Sequence, residues 1–337
     1  METLVIGSRV SADVDGLNCF LFDERMGIMT YHSGSMKIEQ PTFQCFDDER
    51  HILYSVSETE TDGHVYAIQV YPDHSCKLLY ILPTGGGSPC HLSLSPDHTM
   101  LVISNYADGV LTVYSVWETP SLLFQKSFLG KSIHPTRQER SHIHSSRFTK
   151  DGSSFFVADL GLDSVLWYNS DLSEKTIIKT PPGSGPRHLE LSKDETFLYV
   201  ATELSSEVLV YKLSSEPILI QRISTLEAGF KGENTVADLH FDSEYRFLYC
   251  SNRGHDSIAI FRRDKHNGTL SFQGHCMTEK EPRNFTFSPS GAHLVVANGS
   301  SNSVTSYPID RRTGLCGPSN HRIAIEQPVC LNFLGYQ

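Results

Sequence analysis

One pattern recurs along the chain and restricts its possible folds more than any other property. Residues 185–213, GPRHLELSKDETFLYVATELSSEVLVYKL, hold three short apolar runs separated by polar turns. Short runs of β-branched, aromatic and aliphatic residues between Ser, Asp and Gly turns read as antiparallel strands. The pattern returns at 88–116, 142–168, 236–261 and 281–307, in weaker form from Pro41, and as a fragment from Pro328. Aligned without gaps across the first two runs, the copies place Thr42, Cys90, His144, Arg187, Ala237, Arg283 and Val329 at one equivalent position. The intervals between them are 48, 54, 43, 50, 46 and 46 residues. Seven copies at this period, each with room for four short strands, predict an all-β, seven-bladed β-propeller with four antiparallel strands per blade.

The two ends of the chain fit closure into a ring. The last copy supplies a first strand alone, while the N-terminal region supplies three strand-like runs at Leu4, Cys19 and Ile28 with no first strand before them. One strand plus three makes the seventh blade and leaves no open sheet edge. An open pair of β-sandwich sheets would explain neither the period nor the incomplete ends. The repeat uses all 337 residues, so one domain, 1–337, is expected.

The net charge of −11 argues against a nucleic-acid surface, which needs a basic stripe. No apolar run approaches the length of a membrane span. No charged and apolar leader opens the sequence, and the eight cysteines form no C-x-x-C pair. They read as small buried hydrophobes of a reducing compartment, so a cytoplasmic location and a monomer or weak homodimer are expected.

Propeller geometry then locates a candidate site. Each blade's first strand lines the axis and its second runs antiparallel to it. The residue opening the first and the residue closing the second therefore lie at one mouth of the channel. The closers, sixteen residues after the first six openers, are Glu58, Tyr106, Leu160, Glu203, Arg253 and Gly299; the seventh falls near residues 7–9. The mouth should thus gather Arg187, Arg253, Arg283 and His144 with Glu203 and Glu58, and Asp238, His188 and His240 just inside. Turn positions of purely structural use favour Gly, Ser, Asn or Asp. Three arginines and a histidine on one rim instead ask for an anion. His142 and His144 could share a face, but no third ligand is spaced to join them, so neither a metal nor any other cofactor is expected. The Gly85–Gly87 run lacks the helix and lysine of a phosphate loop, and no nucleophile elbow occurs.

At these positions the sequence resembles a known family. The G-P-R-H-L segment from Gly185, V-A-T-E-L from Val200, S-N-R from Ser251, P-R-N-F from Pro282, A-D-L-H from Ala237 and the His144-Ser145 pair are similar to the seven-bladed propeller lactonases. That group contains the bacterial propeller-type 6-phosphogluconolactonase and the fungal carboxy-cis,cis-muconate cyclase. The likeness covers essentially the whole chain. Departures are the missing proline at the Lys193-Asp194 turn, the diverged first repeat and a long polar connection from Lys131 to Arg140. The resemblance implies catalytic roles for His144, Arg187, Glu203 and Arg253, with Arg283, Asp238, His188 and His240 binding substrate, a small anionic lactone. Hydrolysis of 6-phosphogluconolactone is the leading expectation; a lactonising cyclase and a non-enzymatic binding platform are the alternatives. Glu203 serves as general base if it stands clear of Arg187. If the two pair, the guanidinium lowers its pKa and His144 becomes the base.

Overall fold

A computed structural model describes residues 1–32 and 36–335. These form seven four-stranded antiparallel sheets. Six are consecutive in sequence: blade one spans 44–83, blade two 89–127, blade three 143–179, blade four 186–224, blade five 235–277 and blade six 282–324. Blade seven joins the C-terminal strand Pro328–Leu334 to Glu2–Ser8, Leu17–Asp23 and Ile28–Tyr31. The terminal pairing is antiparallel, with Thr3 opposite Leu334 and Gly7 opposite Cys330.

The first strands of successive blades touch one another around the axis, and the last of them, Pro328–Leu334, touches the first, Gln44–Asp47. The ring is closed. Second strands such as Ser154–Asp159, Phe197–Thr202 and His293–Asn298 are buried along their whole length, while outer strands such as Ser121–Ser127 are mostly exposed. The apolar residues sort into seven clusters, each drawn from two neighbouring blades. Tyr199 and Val210 of blade four meet Leu248 and Phe261 of blade five; Val5 and Leu334 of blade seven meet Leu53 and Ile68 of blade one. Each blade is hydrophobic on both faces because each face is an interface.

In six blades the pairing of first and second strands slips by one residue at the same place. Pro186 pairs with Thr202 and His188 with Ala201, which leaves Arg187 as the extra residue. Cys90, His144, Arg283 and Val329 are the extra residues of their blades, and in blade five Ala237 and Asp238 share the gap. These are β-bulges, which bend a strand and re-aim a side chain. Blade one lacks one here, and Thr42 lies just before its first strand.

Candidate active site

The bulges and the turns before them build the mouth. The turn into Arg187 is held by Asp163, whose oxygens accept hydrogen bonds from the Gly183 amide at 2.7 Å and the Gly185 amide at 2.8 Å. Arg187 Nε then donates to Glu203 Oε2 at 2.8 Å, and its NH1 donates to the Ala237 carbonyl at 2.5 Å. Opener and closer of blade four therefore meet as their spacing predicts. Arg253 NH2 lies 3.1 Å from the same Glu203 oxygen, and Arg137 donates to the other oxygen. Glu203 and Arg187 each expose only 3% of their surface.

Three guanidinium groups on one buried carboxylate decide its protonation. Burial pushes the Glu203 pKa up, but Arg253, Arg187 and Arg137 together bring it down to about 2. Glu203 is thus a fixed anion that orders arginines, and it is not a proton acceptor near neutral pH. Arg253, lowered to about 10 by burial with help from Arg187 and Arg283, remains a cation.

Arg137 was not among the expected site residues. It lies in the Lys131–Arg140 connection, which is a built loop. Buried Gln138 holds it, donating to the Leu160 carbonyl at 2.8 Å and accepting from the His134 amide at 3.1 Å, and Ser132 is tied to Asp163. The available sequence signal was the longest interval between openers, 54 residues from Cys90 to His144, whose surplus forms this loop. Arg9 also joins the rim, where the seventh closer was expected. It stands 3.7 Å from Glu58, and its pKa is lowered first by the nearby charge of Arg283. Five arginines, 9, 137, 187, 253 and 283, face three carboxylates, Glu58, Glu203 and Glu281. Among the described residues the Arg283 side chain makes no hydrogen bond or ion pair.

His144 sits beside this cluster, 5% exposed, with its ring 5.7 Å from that of Tyr106 and 5.6 Å from that of His188. Its buried Nδ1 has no hydrogen-bond partner among the described residues. Burial, then Arg187, His188 and Arg283, hold its pKa well below the usual histidine range, so it is neutral at physiological pH. His142 instead stacks on Tyr106 at 4.3 Å and bonds its carbonyl at 2.7 Å.

One residue inward from the openers a second belt runs across the channel. Phe43 stacks on His91 at 4.2 Å, and His91 meets His188 at 5.4 Å. His188 Nδ1 is 2.7 Å from Asp238 Oδ1. Asp238 is fully enclosed and accepts five hydrogen bonds, the others coming from His240, Asn284 and the amides of Leu239 and Phe285. It supports the two histidines and offers no face to a ligand. His240 lies between Asp238 at 3.1 Å and Glu190 at 3.3 Å, both acceptors, so both ring nitrogens donate. Burial opposes its charge, but Asp238 and Glu190 raise its pKa to about 10. His188, lowered to about 4 by burial and Arg187, is neutral with Nε2 as its lone pair.

A separate cavity of about 370 Å³ opens at the far end of the first strands, lined by Arg147, Lys150, Lys193 and Glu195 among others. Its lysines are exposed and its arginine pairs with Glu190 at 3.0 Å. The convergent, buried charges are at the opposite mouth.

Residues 3–333 match the family model described as lactonase, seven-bladed β-propeller. The chain belongs to the propeller lactonase family. Lactone hydrolysis is the activity for which that family is named. It is 30% identical over 341 residues to a 6-phosphogluconolactonase of Bacillus subtilis, covering 98% of this chain and 97% of that protein. It is 33% identical over 318 residues to one of Formosa agariphila, covering 89% and 90%. Among solved structures, a periplasmic gluconolactonase of Pseudomonas aeruginosa superimposes with a TM-score of 0.93 at 28% identity, covering 100% of this chain and 99% of that one.

Proposed function

We propose that this propeller lactonase hydrolyses 6-phospho-D-glucono-1,5-lactone to 6-phosphogluconate in the arginine-lined mouth. The observation that carries this reading is the uncompensated Arg283 beside a three-arginine cage. A dianionic phosphate is the group such a rim is suited to hold, since arginine binds it bidentately. The names of the two sequence relatives support the choice of the phosphorylated lactone.

In the proposed reaction a water attacks the lactone carbonyl as a neutral histidine, His144, takes its proton. Arg187 and Arg253, held rigid by Glu203, stabilise the tetrahedral oxyanion. Groups of this kind are worth about 3–4 kcal/mol in acyl transfer. Collapse breaks the bond between the carbonyl carbon and the ring oxygen, and the histidine returns its proton to that oxygen. The negative charge of substrate and intermediate offsets the arginines that depress His144, so its proton affinity rises when it must act. The 2.7 Å contact between Asp238 and His188 favours a second reading in which His188 is the base, oriented as in an Asp–His pair.

The test is hydrolysis of freshly generated 6-phosphogluconolactone, coupled to product oxidation, with an Arg187→Ala, Glu203→Gln protein as the blank. Glucono-1,5-lactone serves as the unphosphorylated comparison. A rate well above the blank, abolished by His144→Asn, supports the first reading. Activity surviving His144→Asn but lost in His188→Asn selects the second. No excess rate on either lactone would reject lactone hydrolysis here and turn attention to muconate cyclisation.

A further inference from the structure

A second cluster of ligand-type side chains lies outside the mouth, in blade five. Glu227 comes from the connection entering the blade, His255 from the turn between its second and third strands, and His275 from its outer strand Leu270–Met277. Their ligand atoms all lie within 4.8 Å of one another. Glu227 Oε2 is 3.0 Å from His255 Nε2 and 3.4 Å from His275 Nδ1. A tetrahedral Zn²⁺ with bonds of about 2.0–2.1 Å spaces its ligand atoms roughly 3.3–3.4 Å apart.

The hydrogen bonds around the cluster set the rings for such an ion. His275 Nε2 is 2.8 Å from the Thr225 carbonyl, which can only accept, so Nε2 carries the hydrogen. In the neutral ring Nδ1 is then a lone pair aimed at a carboxylate oxygen. Two acceptors facing each other are reconciled by a proton or by a metal ion between them, and a carboxylate oxygen shared by two imidazoles suits the metal ion. His255 Nδ1 is 2.7 Å from Ser257 Oγ, a partner for the Nδ1 hydrogen when Nε2 ligates. Second partners of this kind orient metal-binding histidines generally. Phe230 and Phe272 each pack a ring 4.8 Å from one of the imidazoles, which limits solvent on that side. The imidazoles are nearly buried, at 8% and 11% side-chain exposure, while Glu227 is 52% exposed and leaves a fourth position open to solvent.

We propose that Glu227, His255 and His275 form a binding site for one divalent transition-metal ion, Zn²⁺ by its ligand chemistry. The proposal is independent of the lactone reaction. The ion ties the connection at 225–234 to the turn that follows Arg253 and to the outer strand of the same blade.

The test is calorimetric titration of the full chain with Zn²⁺ after dialysis against a chelator, followed by Co²⁺ as a spectroscopic substitute. The expected result is one ion per chain with micromolar or tighter affinity, a four-coordinate Co²⁺ visible spectrum, and a thermal midpoint that rises with metal. Glu227→Gln and His275→Gln should each weaken binding at least tenfold. Because Glu227 is half exposed, its variant keeps the fold if the histidine variant does not. His98→Gln serves as a control, since Asp47, Asp48 and His98 are the other clustered donors among the described residues. Absence of a one-to-one site, wild-type affinity in both cluster variants, or loss of binding in the His98 variant instead would overturn the proposal.

Discussion

Arg283, His144 and Glu203 differ in what surrounds them, and each makes a different demand on an experiment. Arg283 has no partner among the described residues, so removing its charge should cost the substrate and spare the fold. Arg283→Ala is expected to raise KM for the phosphorylated lactone about 30-fold, the equivalent of about 2 kcal/mol for a hydrogen bond to a charged group, with little effect on the unphosphorylated one. Steady-state kinetics on both lactones checks this. Glu203 is the converse case. Glu203→Gln leaves Arg187 buried without its carboxylate, a change that costs about 3 kcal/mol where a buried pair loses one partner. The thermal midpoint should drop by several degrees along with activity. His144 works only while neutral, and its surroundings keep it neutral to well below pH 6.5. On the unphosphorylated lactone, which has no phosphate to titrate near pH 6, the pH profile of kcat/KM should therefore stay level through 6.5 and fall only in more acid solution; a midpoint at 6.5 on that substrate would exclude His144 as the base.

At the scale of elements, the β-bulge that opens the first strand in six blades and the turn before it set where these side chains point. Gly185 holds φ at +65°, and a Cβ there would come within 2.7 Å of Leu204 Cγ. Gly185→Ala is expected to cost about 1–2 kcal/mol in stability for the left-handed backbone, and more for the contact with Leu204. It should lower kcat at least tenfold, because the displaced turn carries Arg187; an unchanged kcat would show that the turn does not position it. Openers and closers were legible in the sequence because a hairpin keeps them a fixed sixteen residues apart. The bulges were not, since slipping one pair leaves that spacing unaltered. Arg137 was hidden for another reason: its loop belongs to no repeat, and nothing in its composition says which way it folds over the mouth. The roles of Asp238 and His240 also needed coordinates, because besides each other they bond His188 and Glu190, fifty residues back in blade four, and Asp238 also bonds Asn284 of blade six.

The whole ring was the most legible feature, since a period and two incomplete ends suffice to count blades. Its seven apolar clusters each join two neighbours, and the pairing of Pro328–Leu334 with Glu2–Ser8 closes the circle. Removing residues 328–337 would leave the edge of Glu2–Ser8 unpaired and open two clusters. Such a protein is expected to elute as aggregates in size-exclusion chromatography. The channel network gives the molecule a distinctive alkaline response. His240 has a folded pKa of about 10 against an ordinary 6.5, so the stability from its ion pairs is fully present below pH 6.5 and is lost as pH rises through 10. Between these limits the thermal midpoint should fall further in the native protein than in His240→Gln. The extra residue in six of the first strands has one more consequence. It stands outside the pairing ladder and outside the apolar clusters between blades, so where its side chain has no buried partner, as at Arg283, its identity can change while the scaffold goes on folding. Proteins named 6-phosphogluconolactonase and gluconolactonase are both similar to this chain along its length, and such a position is where the mouth can be altered without rebuilding the ring around it.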